Sequence, residues 1–407
     1  MTTVPRVPPR GLLILLIGLT FGVGPFSIDM YLPSLPKMAS DLDAAPSLMQ
    51  LTITACLVGM GIGQIVAGPV SDARGRHRPL IAGTIAFIVF SFLCAIAPTV
   101  ETLIGLRFLQ GVAGAFGVVI GRAIVRDLYE GREAAALFSM LMIVNGLAPI
   151  LAPLIGAGVL QVSSWRGVFI VLVGLGAVLL VAHMTLLGET LPREERRAGG
   201  LRETLRAFKL LLSDRTFAGC ILASGFVSGA MFAYIAGAPF VLQDLYGASP
   251  VVFSVIFATN GLGIVLFGRI SARLSRTLDP ERILAFGVGT SVTGGFGVLL
   301  SVLAGLGLWG LLPSLFLMVS SVGLVFPNAA ALALRGHRSL AGAASGLLGL
   351  TTFMVGGLVA PLVGVAGRGT AVPMAVVNAA AGTAALLTFL LLVRGRPSGP
   401  DEIELVG

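Results

Sequence analysis

The sequence predicts an all-α integral membrane protein of twelve transmembrane helices, arranged as two pseudo-symmetric six-helix bundles. Three observations lead there. Of 407 residues, 56% are hydrophobic and only 11% charged, with a mean hydropathy of +0.98, whereas soluble domains carry about a quarter charged residues. Apolar runs of about 20 residues, the length a helix needs to cross the hydrocarbon core, recur along the whole chain. The two halves also repeat one another. Alternation of the β-barrel kind is missing, which leaves helices as the way to satisfy every backbone group in lipid.

The spans expected are residues 11–32, 47–70, 79–98, 100–124, 134–158, 166–187, 216–240, 250–270, 282–304, 309–334, 340–366 and 371–393. Arg6 and Arg10 precede the first, which imitates a leader peptide but is too long and has no small-residue cleavage site; it is read as retained. The loops are read from their charge. Arg74, Arg76 and Arg78 follow span two, and Arg126 and Arg132 follow span four. Arg193, Arg196, Arg197, Arg202, Arg206, Lys209 and Arg215 follow span six. Arg273 and Arg276 follow span eight, Arg335 and Arg338 span ten, and Arg394 and Arg396 lie in the tail. Odd-numbered loops hold little beyond Lys37, Arg166 and Arg368. This is the positive-inside asymmetry of an even span number with both termini cytoplasmic, in a cell inner (plasma) membrane. The net charge of +8 therefore encodes topology, and the expected partner is the lipid bilayer rather than nucleic acid. Cys56, Cys94 and Cys220 fall within spans without paired spacing and are read as small apolar fillers.

The longest polar stretch, Gly188 to Arg215, divides six spans from six. The expected organisation is a first bundle at 1–192, a cytoplasmic linker at 193–214 and a second bundle at 215–407. Self-comparison supports a duplication. Gly61, Gly63 and Gly68 at the end of span two recur as Gly261, Gly263 and Gly268 at the end of span eight, each pair 200 residues apart. Ala152-Pro153-Leu154-Ile155-Gly156 in span five recurs as Ala360-Pro361-Leu362-Val363-Gly364 in span eleven. Gly-rich apolar helices match by chance as well, because small residues serve close packing in membranes, but two matches at equivalent places favour duplication. Parallel six-helix repeats are one construction principle of secondary transporters.

Ionisable residues inside the spans carry the chemistry. Asp29, in Phe26-Ser27-Ile28-Asp29-Met30-Tyr31-Leu32-Pro33, is the one acidic residue placed inside a span, apart from Glu101 in the first turn of span four. An ionisable group in the bilayer is costly and is a functional candidate by default; the plainer alternative is a carboxylate snorkelling at the helix end. Arg107 and Gln110, in Leu106-Arg107-Phe108-Leu109-Gln110-Gly111, are three apart and share a helix face. A guanidinium does not relay protons but shifts a nearby acid or binds an anion. Span five carries Asn145-Gly146-Leu147-Ala148-Pro149-Ile150-Leu151-Ala152-Pro153-Leu154-Ile155-Gly156, where Pro149 and Pro153 remove backbone donors and Gly146 and Gly156 favour close packing, a hinge. His183 is read as packed or interfacial. Phe26, Tyr31, Met142, Tyr234, Phe240, Phe253 and Phe257 suit an adaptable apolar pocket, joined by the polar Gln110 and Asn145.

The loop Gly68-Pro69-Val70-Ser71-Asp72-Ala73-Arg74-Gly75-Arg76-His77-Arg78 resembles the major-facilitator signature between spans two and three. It departs at Ala73, where the family has a basic residue, so one local ion pair is expected to be weaker. In this reading Gly68 lets span two approach a neighbour, and Asp72 pairs with basic groups at the membrane edge. The Arg107-x-x-Gln110-Gly111 pattern resembles the fourth-span motif of proton-coupled facilitators, in which the Arg is tied to proton transfer. Span five resembles, loosely, the exporters' Gly-Pro motif, with Ala148 replacing the usual Gly. Asp29-Met30-Tyr31-Leu32-Pro33, Arg122-Ala123-Ile124-Val125-Arg126-Asp127-Leu128-Tyr129 and Tyr234-Ile235-Ala236-Gly237-Ala238-Pro239-Phe240-Val241 are similar to the bicyclomycin and chloramphenicol resistance branch of the drug:proton antiporters.

The resemblance implies the major-facilitator fold and alternating access about a central cavity. It implies Asp29 and Arg107 as the proton-coupling pair, and small hydrophobic or drug-like molecules and protons as partners of a monomer. It further implies a cytoplasmic gate motif of Gly68, Asp72, Arg74, Gly75, Arg76, Arg122 and Arg126, with pairs from the span-four arginines to Asp72 latching one state. Export of a physiological solute, an amino acid or sugar, is the alternative. An enzyme is not expected, because no span supplies paired aspartates, a His-Glu-x-x-His zinc helix or Ser with His. No cofactor is expected, and without a Gly-rich Lys-Ser/Thr loop the energy source is an ion gradient.

Overall fold

A computed structural model of the chain describes residues 8–129, 131–196, 201–335, 337, 340–367 and 369–395. Among these the regular structure is helical throughout. The membrane helices are α1 (Arg10–Asp29), α2 (Pro46–Arg74), α3 (His77–Ala95), α4 (Val100–Leu128), α5 (Gly131–Val162) and α6 (Trp165–Leu186), followed by α7 (Arg215–Ala238), α8 (Pro250–Leu274), α9 (Pro280–Leu303), α10 (Gly307–Leu334), α11 (Ala341–Val359) and α12 (Val372–Thr388). Among the described residues eleven spans are long and apolar enough to cross a membrane, and α5 supplies a further apolar segment in Gly146–Val162. Each corresponds to one expected span.

The ends differ in instructive ways. α2 and α4 run four residues beyond the expected limits, to Arg74 and Leu128. At 1.5 Å per residue a helix of 29 residues reaches about 43 Å, past a hydrocarbon core of about 30 Å. Hydropathy sees only the lipid-covered part, so polar extensions of helices read as loops. α1 instead stops early, at Asp29. Pro33 and Pro36 follow, each lacking a backbone donor and restricting its predecessor, and the chain continues as a tight turn at Leu32–Ser34 and a short helix at Leu35–Asp41.

By internal contacts the chain forms two compact units, Met1–Leu201 with Leu242–Ala258, and Arg202–Val241 with Thr259–Gly407. The segment Leu242–Ala258 thus groups with the first unit, where Ser254 Oγ donates to the Pro153 carbonyl of α5 at 2.9 Å. Within the first unit α1 packs on α5, α2 on α4 and α3 on α6; within the second α7 packs on α11 and α9 on α10 and α12.

Small residues make these crossings close. A Cβ on Gly59 would collide with the Phe108 carbonyl of α4, and one on Gly111 with the Cys56 carbonyl of α2. The duplicated glycines behave alike: Gly63 lies against Val112 and Ala115 of α4, and Gly263 against Phe316 and Ser320 of α10, the equivalent helix of the second half. Gly68 does not do what its motif position suggests. Space is open around its missing Cβ, and the close approach of α2 is made earlier in the helix by Gly59 and Gly63.

Candidate functional site

Two clusters built around an arginine stand out in the first unit. The first surrounds Arg107, two turns into α4 and 0% exposed. Its guanidinium donates to the Gln110 carboxamide oxygen and, at 2.8 Å, to the Ser27 carbonyl of α1. Gln110 Nε2 donates onward to Ser91 Oγ at 2.7 Å, and Ser91 to the Phe87 carbonyl of α3 at 2.6 Å. The guanidinium carbon lies over the Tyr31 ring, 4.5 Å from its centroid, and 5.8 Å from the centroid of Phe169. Tyr31 Oη is in turn 3.0 Å from Thr52 Oγ1 of α2. A cation out of water is held here by dipoles and ring faces, each worth about 0.5–2 kcal/mol, and among the described residues no carboxylate pairs with it. Asp29 closes α1 on the same helix and is 5% exposed, yet it forms no ion pair with Arg107.

The second cluster lies where α2 gives way to α3. Gly75 makes the turn at φ +87°, and a Cβ there would strike the Glu189 carboxylate; only glycine satisfies both conditions. The turn returns Arg76 onto α2. Its guanidinium bonds Asp72, donates to Ser71 Oγ at 2.9 Å and reaches Asp127 Oδ2 of α4 at 2.9 Å. Burial opposes this charge, but the bonds and fields of Asp127 and Asp72 outweigh it and hold the Arg76 pKa above the usual arginine value. Glu189, beyond α6, accepts from the backbone N–H of Arg76 at 2.7 Å and of His77 at 3.4 Å. A distant carboxylate thereby caps α3, whose own preceding residue offers no side-chain cap. Thr190 Oγ1 donates to Asp127 Oδ2 at 2.9 Å, and Arg196 pairs with Glu189 at 3.4 Å.

The remaining expected residues fall elsewhere. Asp72 is paired by Arg76, whereas Arg122 and Arg126 are exposed and form no ion pair among the described residues. The ion pair expected between span four and Asp72 is replaced by pairs from the loop's Arg76 to Asp72 and to Asp127 of α4, because the Gly75 turn brings Arg76 back over both carboxylates. Arg74 ends α2 and is exposed. Phe26 is half-buried, Phe257 is buried beside Phe253 at 5.9 Å between ring centroids, and Tyr234 accepts from Asn260 Nδ2 at 2.8 Å within the second unit. The side chains of Met142 and Asn145 lie outside the described residues. Gly146, Pro149 and Pro153 sit inside α5, and a Cβ on Gly156 would meet the Met30 carbonyl just beyond α1. His183 is fully buried, its ring 3.0 Å from Thr20 Oγ1 and 3.3 Å from Thr84 Oγ1, beside a cavity of about 20 Å³ that has room for one water.

The family model described as Major Facilitator Superfamily matches residues 17–361. The chain belongs to the Major Facilitator Superfamily. As a facilitator it is a multi-pass membrane transporter, and several of its relatives carry resistance names, as the branch motifs at Asp29, Arg122 and Tyr234 imply. It is 40% identical to the uncharacterized MFS-type transporter YdgK of Bacillus subtilis (strain 168), over 96% of this chain and 98% of that one. It is 30% identical to a bicyclomycin resistance protein homolog of Haemophilus influenzae, over 93% and 95%. Among solved structures, a D-xylose-proton symporter superposes with a TM-score of 0.74 over 95% of this chain and 97% of that one at 16% identity, a likeness of fold.

Sequence reasoning missed Ser27, Ser91, Thr52 and Phe169 around Arg107, and Glu189 and Thr190 around Arg76. Serine and threonine are common in membrane helices and give no signal singly. Glu189 did carry one: it is the first acid after a span of 22 residues.

Proposed function

We propose that this facilitator exports small hydrophobic, drug-like molecules in exchange for protons, by alternating access, as a monomer in the inner membrane with both termini cytoplasmic. The observation that carries the reading is Asp29, a carboxylate buried at the end of α1 that no described cation pairs. Such a group is available to bind and release a proton, and a membrane span retains it at a cost that function must justify. Arg107 supports it from α4 without carrying the proton itself, its charge being permanent. The cargo class rests on the bicyclomycin resistance homolog, aligned over nearly the whole chain.

In this cycle Asp29 takes a proton from outside as drug departs, and drug binding from inside lowers its proton affinity. The coupling is reciprocal: protonation weakens drug binding by the same factor. Everted vesicles energised with a proton gradient are expected to accumulate a drug such as chloramphenicol with the native chain and to lose gradient-driven uptake with Asp29→Asn. Full coupled uptake by Asp29→Asn would overturn the proposal. Loss of drug uptake with retained pH-driven uptake of an amino acid or sugar would move the cargo to a physiological solute.

A further inference from the structure

Between α6 and α7 lies a helix, Leu201–Ser213 (LRETLRAFKLLLS), that transport chemistry leaves unused. Helical periodicity gathers Leu205, Phe208, Leu211 and Leu212 on one side and Arg206, Lys209 and Ser213 on the other, where Leu210 is the one apolar exception. The protein covers only part of the apolar side. Phe208 and Leu211 are 8% and 0% exposed, whereas Leu205 and Leu212, seven residues and so about two turns apart, are 53% and 49% exposed. Exposed leucines are ordinary on α1 to α12, where lipid tails meet them. These lie outside the spans.

The flank beside them is basic. Arg206 and Lys209 are exposed, as is Arg215, which opens α7. The neighbouring acid, Asp214, is already committed: it accepts from the backbone N–H of Thr216 at 2.8 Å and of Phe217 at 3.3 Å, and pairs with His337 at 2.9 Å. Among the described residues no carboxylate pairs Arg206, Lys209 or Arg215. One residue separates this helix from a span, so the chain itself holds it at the membrane face.

We propose that Leu201–Ser213 is an interfacial anchor that binds anionic phospholipid. Leu205 and Leu212 enter the acyl boundary, and Arg206, Lys209 and Arg215 hold the phosphates. An apolar stripe bordered by cations is the arrangement that lies in the plane of a bilayer, and anionic headgroups complement its charge.

The test uses the full-length protein in nanodiscs of phosphatidylcholine with or without phosphatidylglycerol. Spin labels at Leu205→Cys, Leu212→Cys and Ser213→Cys report contact with oxygen, which favours lipid, against a water-soluble nickel chelate. The first two are expected to be lipid-facing and the third water-facing, with positions 205 and 212 moving deeper when phosphatidylglycerol is present. Native mass spectrometry should show phosphatidylglycerol retained over phosphatidylcholine, the preference falling about fivefold for each basic residue removed in the series Arg206→Gln, Lys209→Gln, Arg215→Gln. Inorganic phosphate in excess should not displace the lipid. Equal nickel access at 205 and 213, or an unchanged lipid preference in the triple variant, would overturn the proposal. Neither readout depends on which molecule is transported.

Discussion

Arg107 shows how a single buried charge organises its surroundings. Its polar neighbours are joined in sequence: guanidinium Nη atoms to Gln110 and Ser27, Gln110 to Ser91, Ser91 to the Phe87 carbonyl, while Arg107 Nε lacks a hydrogen-bond partner among the described residues. Gln110→Leu would take one partner from Arg107 and one from Ser91, and leaving buried polar atoms unpaired costs about 1–3 kcal/mol. The expected outcome is a lower melting temperature of the detergent-purified protein, with a larger fall than for Ser91→Ala, which takes the acceptor from Gln110 Nε2 but leaves the Gln110 bond to Arg107 in place. Asn378 of α12 is the opposite case. It is 0% exposed, and both amide atoms lack a hydrogen-bond partner among the described residues. Asn378→Leu, with the same branching and number of side-chain heavy atoms and no polar atoms to satisfy, is expected to leave the melting temperature unchanged or raise it; a clear fall would mean that the larger side chain overpacks the site or that the amide has a partner in the membrane. The Arg107–Gln110 pairing was legible from a charge and an amide one turn apart. The aromatic walls and Ser27 were not, because sequence spacing says nothing about which residues of other helices face a given side.

At the scale of elements, the helices themselves were legible and their contacts only partly so. Lipid imposes a length on each span and basic residues mark alternate ends, so twelve segments could be read with shifts of only a few residues at most ends. Which glycine faces which helix depends on rotation about the axis, and the motif residue Gly68 misled for that reason. The crossing of α2 and α4 turns on Gly59 and Gly111, each against carbonyls of the other helix. Gly59→Ala and Gly111→Ala should each destabilise by about 1–3 kcal/mol, the usual cost of overpacking, and lower the yield of monodisperse protein in size-exclusion chromatography. Gly68→Ala should not. Gly75→Ala combines a positive φ with a collision against Glu189, and should lower the melting temperature more than Glu189→Gln, which keeps an acceptor for the capped N–H groups of α3 but loses the pair to Arg196.

At the scale of the molecule, the distribution of charge makes a prediction of orientation. Basic residues gather after α2, α4, α6, α8 and α10 and at both ends, while the loops after α1, α3, α5, α7, α9 and α11 hold few. The cost of passing Lys and Arg across the membrane during insertion acts on each short loop, so the even loops should all lie on the cytoplasmic side. The contacts agree with one shared face. Arg76 follows α2, Asp127 lies in the last turn of α4 and Glu189 follows α6, yet all three meet in one cluster. Fusions of alkaline phosphatase, active only outside the cytoplasm, are expected to be active after residues 44, 97, 247 and 305, and inactive after 75, 129, 192 and 278. A green fluorescent protein fused at the C-terminus should fluoresce. Activity after 75 or 192 would invert the assignment and would place the Arg76 cluster, and with it the Leu201–Ser213 helix, on the outer face. The prediction also fixes the entry side of the proposed cycle, because protons would then have to reach Asp29 from the end of α1 opposite to Arg10.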